Sequence, residues 1–319
     1  MRVLAGDIGG THARLAIVEV DATARIVAEQ TVRSQQVEAF TPLLARFIAG
    51  AGAPPARACL GFAGPVADGR VSGTNLPWTV SERELSASLR IPLVRLINDF
   101  EAVGYGLSRL AEADFMVLQA GAADPEGTRG LLGAGTGLGE GFLVRSGEGY
   151  SVQPSEGGHA TFTVESERQW GLFRFLRGRY GHVSAERVIS GPGLVDLFEF
   201  VGGLESGLGA ELAREDPAAV ITRHALAGSN ARAVEALELF VAAYGAAAGN
   251  LALTVLATGG IYLAGGIARH IAPKLAEGGF MAAFLRKGRL QTLLERIPVR
   301  VILNPDVGLL GAATVAAGA

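Results

Sequence analysis

The sequence predicts an α/β protein made of two related units. Two segments, residues 4–15 and 130–144, each combine an apolar strand, a glycine turn that contains one threonine, and a second strand. Such a repeat indicates a duplicated unit, and we expect its two halves to face each other over one phosphate chain. The 319 residues leave room for two domains of ordinary size.

Composition and charge narrow the class of protein. Hydrophobic residues make up 49% of the chain, which is enough to build sizeable cores. A formal net charge of −3 provides no overall field for nucleic acid or an anionic membrane, so we expect neither partner. The single cysteine, Cys59, excludes a disulfide framework and a cysteine-based metal site. The first strand begins at once and leaves no room for a signal peptide, so we expect a cytoplasmic protein.

Apolar runs alternate with turn residues and amphipathic segments in the first 110 residues. Gly64-Pro65 ends one strand, and Ser81 with Glu84 has the pattern of a capping box at a helix start. The predicted strands are Val3–Leu4, Ala13–Val20, Ala28–Val32, Ala58–Phe62 and Leu93–Ile97, with a short hairpin around Val71; the predicted helices are Val37–Ala49, a segment after Ser81, and Phe100–Leu110.

The second half repeats the alternation. Residues 239–268 carry no charge and are long enough to cross a bilayer, but Asn250 and the break at Thr258-Gly259-Gly260 favour a buried helix followed by a buried strand. The predicted strands are Gly130–Gly133, Gly141–Val144, Ile261–Ala264 and Val299–Leu303; the predicted helices are Ser166–Tyr180, one that begins with Ala185–Ile189 near Ser190-Gly-Pro-Gly193, Asp216–Gly228, one that ends near Ala257, and one after Asn304.

The first glycine turn suits a polyphosphate. Gly9 and Gly10 leave the backbone N–H groups free to lie against a ligand, Thr11 adds a hydroxyl, and Asp7 supplies a carboxylate for a hydrated Mg²⁺. The alternative is an ordinary glycine hairpin with a solvated aspartate.

The second glycine turn strengthens the phosphate interpretation. Glycines alternate from Gly133 to Gly139, with Gly135 and Thr136 at the tip. Leu138 stands where the dinucleotide fingerprint requires its third glycine, and no Walker A sequence is present. A simple Rossmann or P-loop assignment is therefore poorly supported.

Asp99 is the strongest candidate for chemistry. It follows a predicted strand, where polar groups of α/β sheets often meet a ligand, and phosphoryl transfer to an alcohol needs a carboxylate near the attacking hydroxyl. Asn98 could orient the same acceptor. The alternative is an Asn-Asp turn that caps the next helix.

A second polar cluster suits a polyol. Glu156 and His159 flank two glycines, and Glu186 follows in a predicted helix start. Carboxylates accept hydrogen bonds from neighbouring hydroxyls and discriminate against analogues that lack them. Taken singly, these residues could equally belong to an exposed glycine turn and a helix surface.

Together these motifs resemble the bacterial glucokinases of the sugar kinase, actin and Hsp70 superfamily, from about residue 3 to the C-terminus. The residues that carry the resemblance are Gly6-Asp-Ile-Gly-Gly-Thr11, Ile97-Asn-Asp-Phe100, Gly133-Ala-Gly-Thr-Gly-Leu-Gly139, Glu156-Gly-Gly-His159, His182-Val-Ser-Ala-Glu-Arg-Val188 with Ser190-Gly-Pro-Gly193, and Leu263-Ala-Gly-Gly-Ile267.

The resemblance implies an actin/Hsp70/hexokinase-like fold, a duplicated ribonuclease H-like arrangement with an interdomain cleft. A small α/β domain would comprise residues 1–108 and 304–319, and a large one residues 109–303. The family also implies ATP and glucose as substrates, Mg²⁺ as cofactor, and a homodimer as assembly.

Site residues carry over position by position. Asp99 would be the base on the sugar 6-hydroxyl, and Asp7 would bind Mg²⁺ through water. The remaining sugar hydroxyls would be held by Asn75, Asn98, Glu156, His159 and Glu186. ATP would be held by Gly6, Asp7, Ile8, Gly9, Gly10, Thr11, Gly135 and Thr136, with Gly265 and Gly266 beside the adenosine.

One departure separates the chain from the related repressor, open reading frame and kinase group. That group carries a cysteine cluster for structural zinc, which Cys59 alone cannot form. Two alternatives stay open: a kinase for another hexose, N-acylhexosamine or phosphoryl donor, and a non-catalytic sugar-sensing regulator.

Overall fold

The computed structural model describes residues 1–72 and 78–318, so the predicted sugar ligand Asn75 lies outside the described residues. The chain divides into two compact units. Unit 1 comprises Met1–Asp114, Ser146–Pro154 and Asn304–Ala319, and unit 2 comprises Phe115–Arg145 and Ser155–Leu303.

The first 114 residues contain eight strands and three α-helices with described bounds. They are β1 (Arg2–Ile8), β2 (His12–Val20), β3 (Ala24–Arg33), α1 (Phe40–Gly50), β4 (Arg57–Phe62), β5 (Val66–Ala67), β6 (Arg70–Ser72), β7 (Thr79–Ser81), α2 (Glu82–Leu89), β8 (Leu93–Asn98) and α3 (Asp99–Gly106).

Helices dominate the rest of the described chain. The elements are β9 (Phe115–Gln119), β10 (Arg129–Ala134), β11 (Leu138–Ser146), β12 (Gly149–Ser155), α4 (Glu167–Tyr180), α5 (Gly191–Phe200), α6 (Gly209–Leu212), α7 (Pro217–Leu226), α8 (Ala231–Thr254), β13 (Gly260–Ala264), α9 (Gly266–His270), α10 (Ala272–Ala276), α11 (Gly279–Leu285), α12 (Gln291–Leu294), β14 (Val299–Ile302) and α13 (Val307–Ala317).

Unit 1 is built on a five-stranded sheet in the order β3-β2-β1-β4-β8. The strands β1, β4 and β8 are parallel, so their carboxyl ends meet at one edge. Because side chains alternate along a strand, β1 sends Leu4 and Ile8 into a core shared with α1, and Val3 and Ala5 into a core shared with α13. Burial on both faces explains why this strand is an apolar run with little polar alternation.

Close contact between α3 and α13 depends on two glycines. A Cβ built on Gly311 would lie 1.7 Å from the carbonyl oxygen of Ala102, and one on Gly106 would lie 2.1 Å from that of Val307. These glycines therefore let the two helix backbones touch and bring the start of α13 against the sheet edge.

In unit 2 the parallel strands β10, β13 and β14 form the centre of the sheet, with antiparallel β11 and β9 on either side. Within the described chain only α8 is long and apolar enough, by length and composition, to cross a membrane, and 67% of its most apolar window is buried inside the protein. Helix α11 packs on it, and Gly245 allows this because its Cβ would lie 2.2 Å from the carbonyl oxygen of Phe280. The helix and strand expected within residues 239–268 are thus confirmed.

One predicted helix start is wrong. Residues 185–189 form turns, and α5 begins only at Gly191, where the Ser190 hydroxyl accepts a hydrogen bond from the N–H of Gly193. Pro192 is tolerated in the first turn of α5, whereas in a helix begun at Ala185 it would lie in the interior, where its missing N–H and its ring disrupt the helix. The strands β9 and β12 were not predicted. In β9, half-buried residues follow one another, so no alternation of apolar and polar residues marks the strand.

Gly311→Ala should destabilise unit 1, since its new methyl group would collide with the α3 backbone rather than with a movable side chain. We expect a loss of about 2 kcal/mol or more in the free energy of unfolding, measured by urea denaturation. The matched control is Gly50→Ala at the end of α1, where nothing lies within 4 Å of the new Cβ. Equal midpoints for both variants would contradict the packing argument.

Candidate active site

The first glycine turn joins β1 to β2 and is fixed by hydrogen bonds within the turn and from Ser34. The N–H of Gly9 donates to the carbonyl of His12 at 2.9 Å, closing the turn. Ser34, which is fully buried, donates its hydroxyl to the Gly9 carbonyl at 2.6 Å and its N–H to the Thr11 carbonyl at 3.0 Å. Thr11 itself is exposed. Ser34 was not predicted, because no local pattern links it to a turn 23 residues earlier.

Asp7 lies near the carboxyl end of β1 with its carboxylate beside the start of α13. A Cβ on Gly308 would be only 3.3 Å from Asp7 Oδ2, so this glycine gives the carboxylate room. Burial raises the pKa of Asp7, and the nearby Arg14 partly opposes the rise. Gly6 and the side chain of Ile8 are buried inside the unit, which leaves them only backbone groups to offer a ligand.

Arg14 fixes the entry to α13 next to Asp7. Its guanidinium donates to Asp306 Oδ1 at 2.5 Å, to Glu29 Oε1 at 2.7 Å and to the Pro305 carbonyl at 2.9 Å. These charge-assisted hydrogen bonds join β2, β3 and the last helix of the chain at one point.

Asn98 caps α3, as the structural alternative had proposed. Its Oδ1 accepts hydrogen bonds from the N–H groups of Phe100 and Glu101 at 2.9 and 3.2 Å. Its Nδ2 donates to the Gly64 carbonyl at 3.1 Å. Asn98 therefore holds the strand end, the following loop and the helix start together.

Asp99 is the first residue of α3 and accepts a hydrogen bond from the N–H of Phe100 at 2.8 Å. Burial, reinforced by the negative charge of Asp7, raises the pKa of Asp99 from 3.8 to about 6. The two carboxylates belong to β1 and to the residue after β8, which flank β4 in the sheet. Between them lies Gly61, whose Cβ would be 3.3 Å from the Asp99 Cα. Gly61 was not predicted, since it sits within an apolar strand and not in a turn.

The second glycine turn, between β10 and β11, is closed by a hydrogen bond from the Gly135 N–H to the Gly137 carbonyl at 2.9 Å. Gly191, at the start of α5, donates its N–H to the Gly135 carbonyl at 2.8 Å. Gly265 has a φ of +91°, and a Cβ there would lie 2.2 Å from the Ala134 carbonyl oxygen. Hence glycine is required at position 265 for both conformation and space.

A cavity of about 830 Å³ opens beside this turn in unit 2. It brings together three of the predicted residues, Gly135, Thr136 and Gly266, and nothing lies within 4 Å of a Cβ built on either glycine. The first residues of α5, α7 and α9 line it, together with apolar side chains that suit a flat heterocyclic base. Lining residues that were not predicted include Pro192, Val195, Ala218, Ala219, Leu226 and Ile267.

The predicted Glu/His cluster, Glu156, His159 and Glu186, is also assembled in unit 2. His159 Nε2 lies 3.8 Å from Glu156 Oε2, and His159 Nδ1 lies 3.9 Å from Glu186 Oε1. The side chain of Glu156 is 88% exposed and that of Glu186 is 29% exposed. Glu140 lies behind this loop, since a Cβ on Gly157 would be 2.1 Å from its Oε1, and burial raises the pKa of Glu140.

The arrangement of the described side chains bears on metal binding. No group of three or more histidine, cysteine, aspartate or glutamate side chains is arranged to hold a metal ion in the part of the chain that the structure describes. Asp7 fits a hydrated Mg²⁺ that takes its other ligands from water and a phosphate chain, because Mg²⁺ often uses only one or two protein carboxylates.

Two mixed α/β units, each with a glycine hairpin, together with a carboxylate at a strand end, define a sugar kinase of the actin/hexokinase-like fold. The chain belongs to the glucokinase family, whose model matches residues 4–319. It is 42% identical to the glucokinase of Trichormus variabilis, with 99% of this chain and 98% of the relative covered. It is 43% identical to that of Synechocystis, with 98% and 97% covered.

Solved structures agree on the fold. A glucokinase from an Antarctic psychrotroph superposes with a TM-score of 0.86 at 30% identity, covering 100% of this chain and 99% of the other. A glucokinase from Balamuthia mandrillaris in complex with glucose gives 0.80 at 23% identity, with 99% and 94% covered.

The electrostatics of Asp99 predict a stability effect that is separate from catalysis. Because its pKa is raised in the folded protein, the folded state loses stability as pH rises from about 4 through 6. Asp99→Asn keeps the acceptor for the Phe100 N–H but cannot ionise. We expect it to be more stable than the parent at pH 7.5, by at most about 3 kcal/mol, with little difference at pH 4.

Urea denaturation at the two pH values measures this effect. The control is Asp21→Asn, because hydrogen bonds from Thr23 lower the pKa of Asp21 and its loss should give no gain at neutral pH. A parent protein that is the more stable at pH 7.5 would argue against a strained Asp99 carboxylate.

Proposed function

We propose that the protein transfers the γ-phosphoryl group of ATP to the 6-hydroxyl of D-glucose. The observation that carries this proposal is the half-buried Asp99 carboxylate at the carboxyl edge of the unit 1 sheet, with its raised pKa and with Asp7 across β4. Membership of the glucokinase family supports the same substrates.

Asp99 is the proposed general base. A pKa of about 6 leaves most of the carboxylate ionised at neutral pH and gives it more basicity than an exposed aspartate. It would accept the proton of the 6-hydroxyl as that oxygen attacks the γ-phosphorus and the bond to the β-phosphate oxygen breaks. Asn98 supports this step by fixing the start of α3.

The remaining sugar hydroxyls are assigned to Glu156, His159 and Glu186, with Asn75 and Asn98 as further predicted ligands. His159 lies within 4 Å of both Glu156 and Glu186, and the side chains of His159 and Glu156 are well exposed. An analogue that lacks a hydroxyl would leave one of these carboxylates without a hydrogen-bond partner and would bind more weakly. The cluster therefore favours a fully hydroxylated ring.

ATP is assigned to the two glycine hairpins. The N–H groups of Gly9 and Gly135 close their own turns, so the phosphates are assigned to the N–H groups of Gly10, Thr11 and Thr136 and to the two threonine hydroxyls. The cavity beside Gly266 has room and an apolar lining for adenosine. Mg²⁺ would be held through water by Asp7, and when bound it neutralises charge on the transferring phosphoryl group. The proposal includes a cytoplasmic location, no nucleic-acid or membrane partner, and the homodimer that the family resemblance implies.

A panel of sugars and donors tests the substrate assignment. We expect the highest kcat/KM for glucose with ATP when glucose, mannose and N-acetylmannosamine are each assayed with ATP and with polyphosphate. A better pair in this panel would establish one of the alternative kinases. The absence of phosphorylation with every pair would leave the sugar-sensing regulator.

Variants of Asp99 test the mechanism. We expect Asp99→Ala and Asp99→Asn to lower kcat by at least about 100-fold while glucose binding stays nearly unchanged. In the parent, kcat/KM should fall about tenfold per pH unit below about pH 6, because the base becomes protonated. Steady-state kinetics over pH 5–8 and glucose titration by calorimetry measure both effects. Turnover close to the parent value in either variant would remove Asp99 from the role of base.

A further inference from the structure

One short segment of unit 2, residues 185–191, contacts both the Glu/His cluster and the second glycine turn. On the cluster side, the N–H groups of Ala185 and Glu186 donate to the carbonyls of Ala160 and Gly158 at 2.8 and 2.9 Å. On the other side, the Gly191 N–H donates to the Gly135 carbonyl at 2.8 Å. The segment therefore bridges two loops that the proposed function gives to different substrates.

Glu186 makes the same bridge with its side chain. Its Oε2 accepts a hydrogen bond from the backbone N–H of Leu138 at 3.0 Å, directly after the turn. Its Oε1 lies 3.9 Å from His159 Nδ1 in the cluster. A Cβ on Gly137 would be 2.5 Å from Oε2, so glycine at this position allows the carboxylate to reach the turn.

We propose that Glu186 is a positioning residue for the nucleotide, in addition to its assigned contact with the sugar. Its carboxylate fixes the end of the Gly135–Gly137 turn, whose two glycines otherwise have wide conformational freedom. Fixing the turn in advance lowers the ordering cost of nucleotide binding. A sugar that restrains Glu186 then strengthens nucleotide binding through the same carboxylate. Both the nucleotide half and the sugar half of this proposal rest on the proposed function, which assigns the turn to the nucleotide and the cluster to the sugar.

The sign of the effect separates this proposal from simple electrostatics. A carboxylate beside a phosphate-binding turn repels phosphate, so removing a carboxylate with no structural role would tighten nucleotide binding. Removing a carboxylate that fixes the turn should weaken it instead. One hydrogen bond of this kind corresponds to about a 3- to 10-fold change in affinity.

The first experiment measures the Kd of AMPPNP with Mg²⁺ by calorimetry in the absence of any sugar. We expect Glu186→Ala to bind about 3- to 10-fold more weakly than the parent. Glu186→Gln, which keeps an oxygen for the Leu138 N–H, should stay within about twofold. The matched control is Glu156→Ala, an exposed member of the same cluster, which should also stay within about twofold.

Three outcomes of this experiment would overturn the proposal: unchanged or tighter binding by Glu186→Ala, equal weakening by Glu156→Ala, or no rescue by Glu186→Gln. If Glu186→Ala fails to fold, Gly137→Ala replaces it, because the new methyl group displaces Oε2 from the Leu138 N–H although residue 186 keeps its charged carboxylate. Parent-like AMPPNP affinity in Gly137→Ala would then overturn the proposal.

The second experiment repeats the titrations at saturating glucose. We expect glucose to increase AMPPNP affinity at least about fivefold in the parent but not in Glu186→Ala, each at a glucose concentration that a separate glucose titration shows to saturate it. Persistence of the full increase in Glu186→Ala would refute the sugar half. A parent that binds no glucose would overturn the proposed function, whereas the sugar-free titrations would still decide the nucleotide half.

Discussion

The constraint that shapes unit 1 is that two half-buried carboxylates, Asp7 and Asp99, lie close together at the edge of its sheet. Each has its pKa raised by burial, and the charge of Asp7 raises that of Asp99 further. The positive charge of Arg14 partly opposes the rise in the pKa of Asp7, and the same guanidinium is tied to Asp306. Burial thus disfavours the ionised form of both carboxylates, as is common for a general base or a metal ligand. Packing elsewhere in the unit stabilises the fold against this cost.

Glycine makes that packing dense enough. Gly61 lets the backbone of Asp99 approach β4, and Gly308 gives space to the Asp7 carboxylate. Gly106 and Gly311 bring α3 and α13 into backbone contact, so the helix that begins with Asp99 is pressed against the last helix of the chain. Glycine is needed at these positions for close contact between elements and not for a turn. Glycines of this kind have no local sequence signature, whereas turn glycines do.

The sequence was informative where chemistry and local geometry coincide. Both hairpins were predicted from glycine and threonine spacing, and the cap at Asn98 was foreseen as one of two interpretations. Ser34, Gly61 and Glu140 were not found, because each acts through a contact with residues distant in the chain and none has a local signature. The helix expected at Ala185–Ile189 failed for a related reason. Hydrogen bonds to Gly158 and Ala160 hold that segment as turns, and a single sequence does not reveal such tertiary bonds.

The turns at residues 185–189 connect the loop that carries His159 with the second glycine turn. The N–H groups of Ala185 and Glu186 donate to carbonyls of the loop that carries His159, which satisfies them and ties the segment to that loop. The same geometry brings the Glu186 carboxylate to the N–H of Leu138, which a residue on the outer face of a helix could not reach. The irregular backbone therefore joins the cluster assigned to the sugar with the hairpin assigned to ATP. Because both contacts use one carboxylate, neither can be rearranged without disturbing the other.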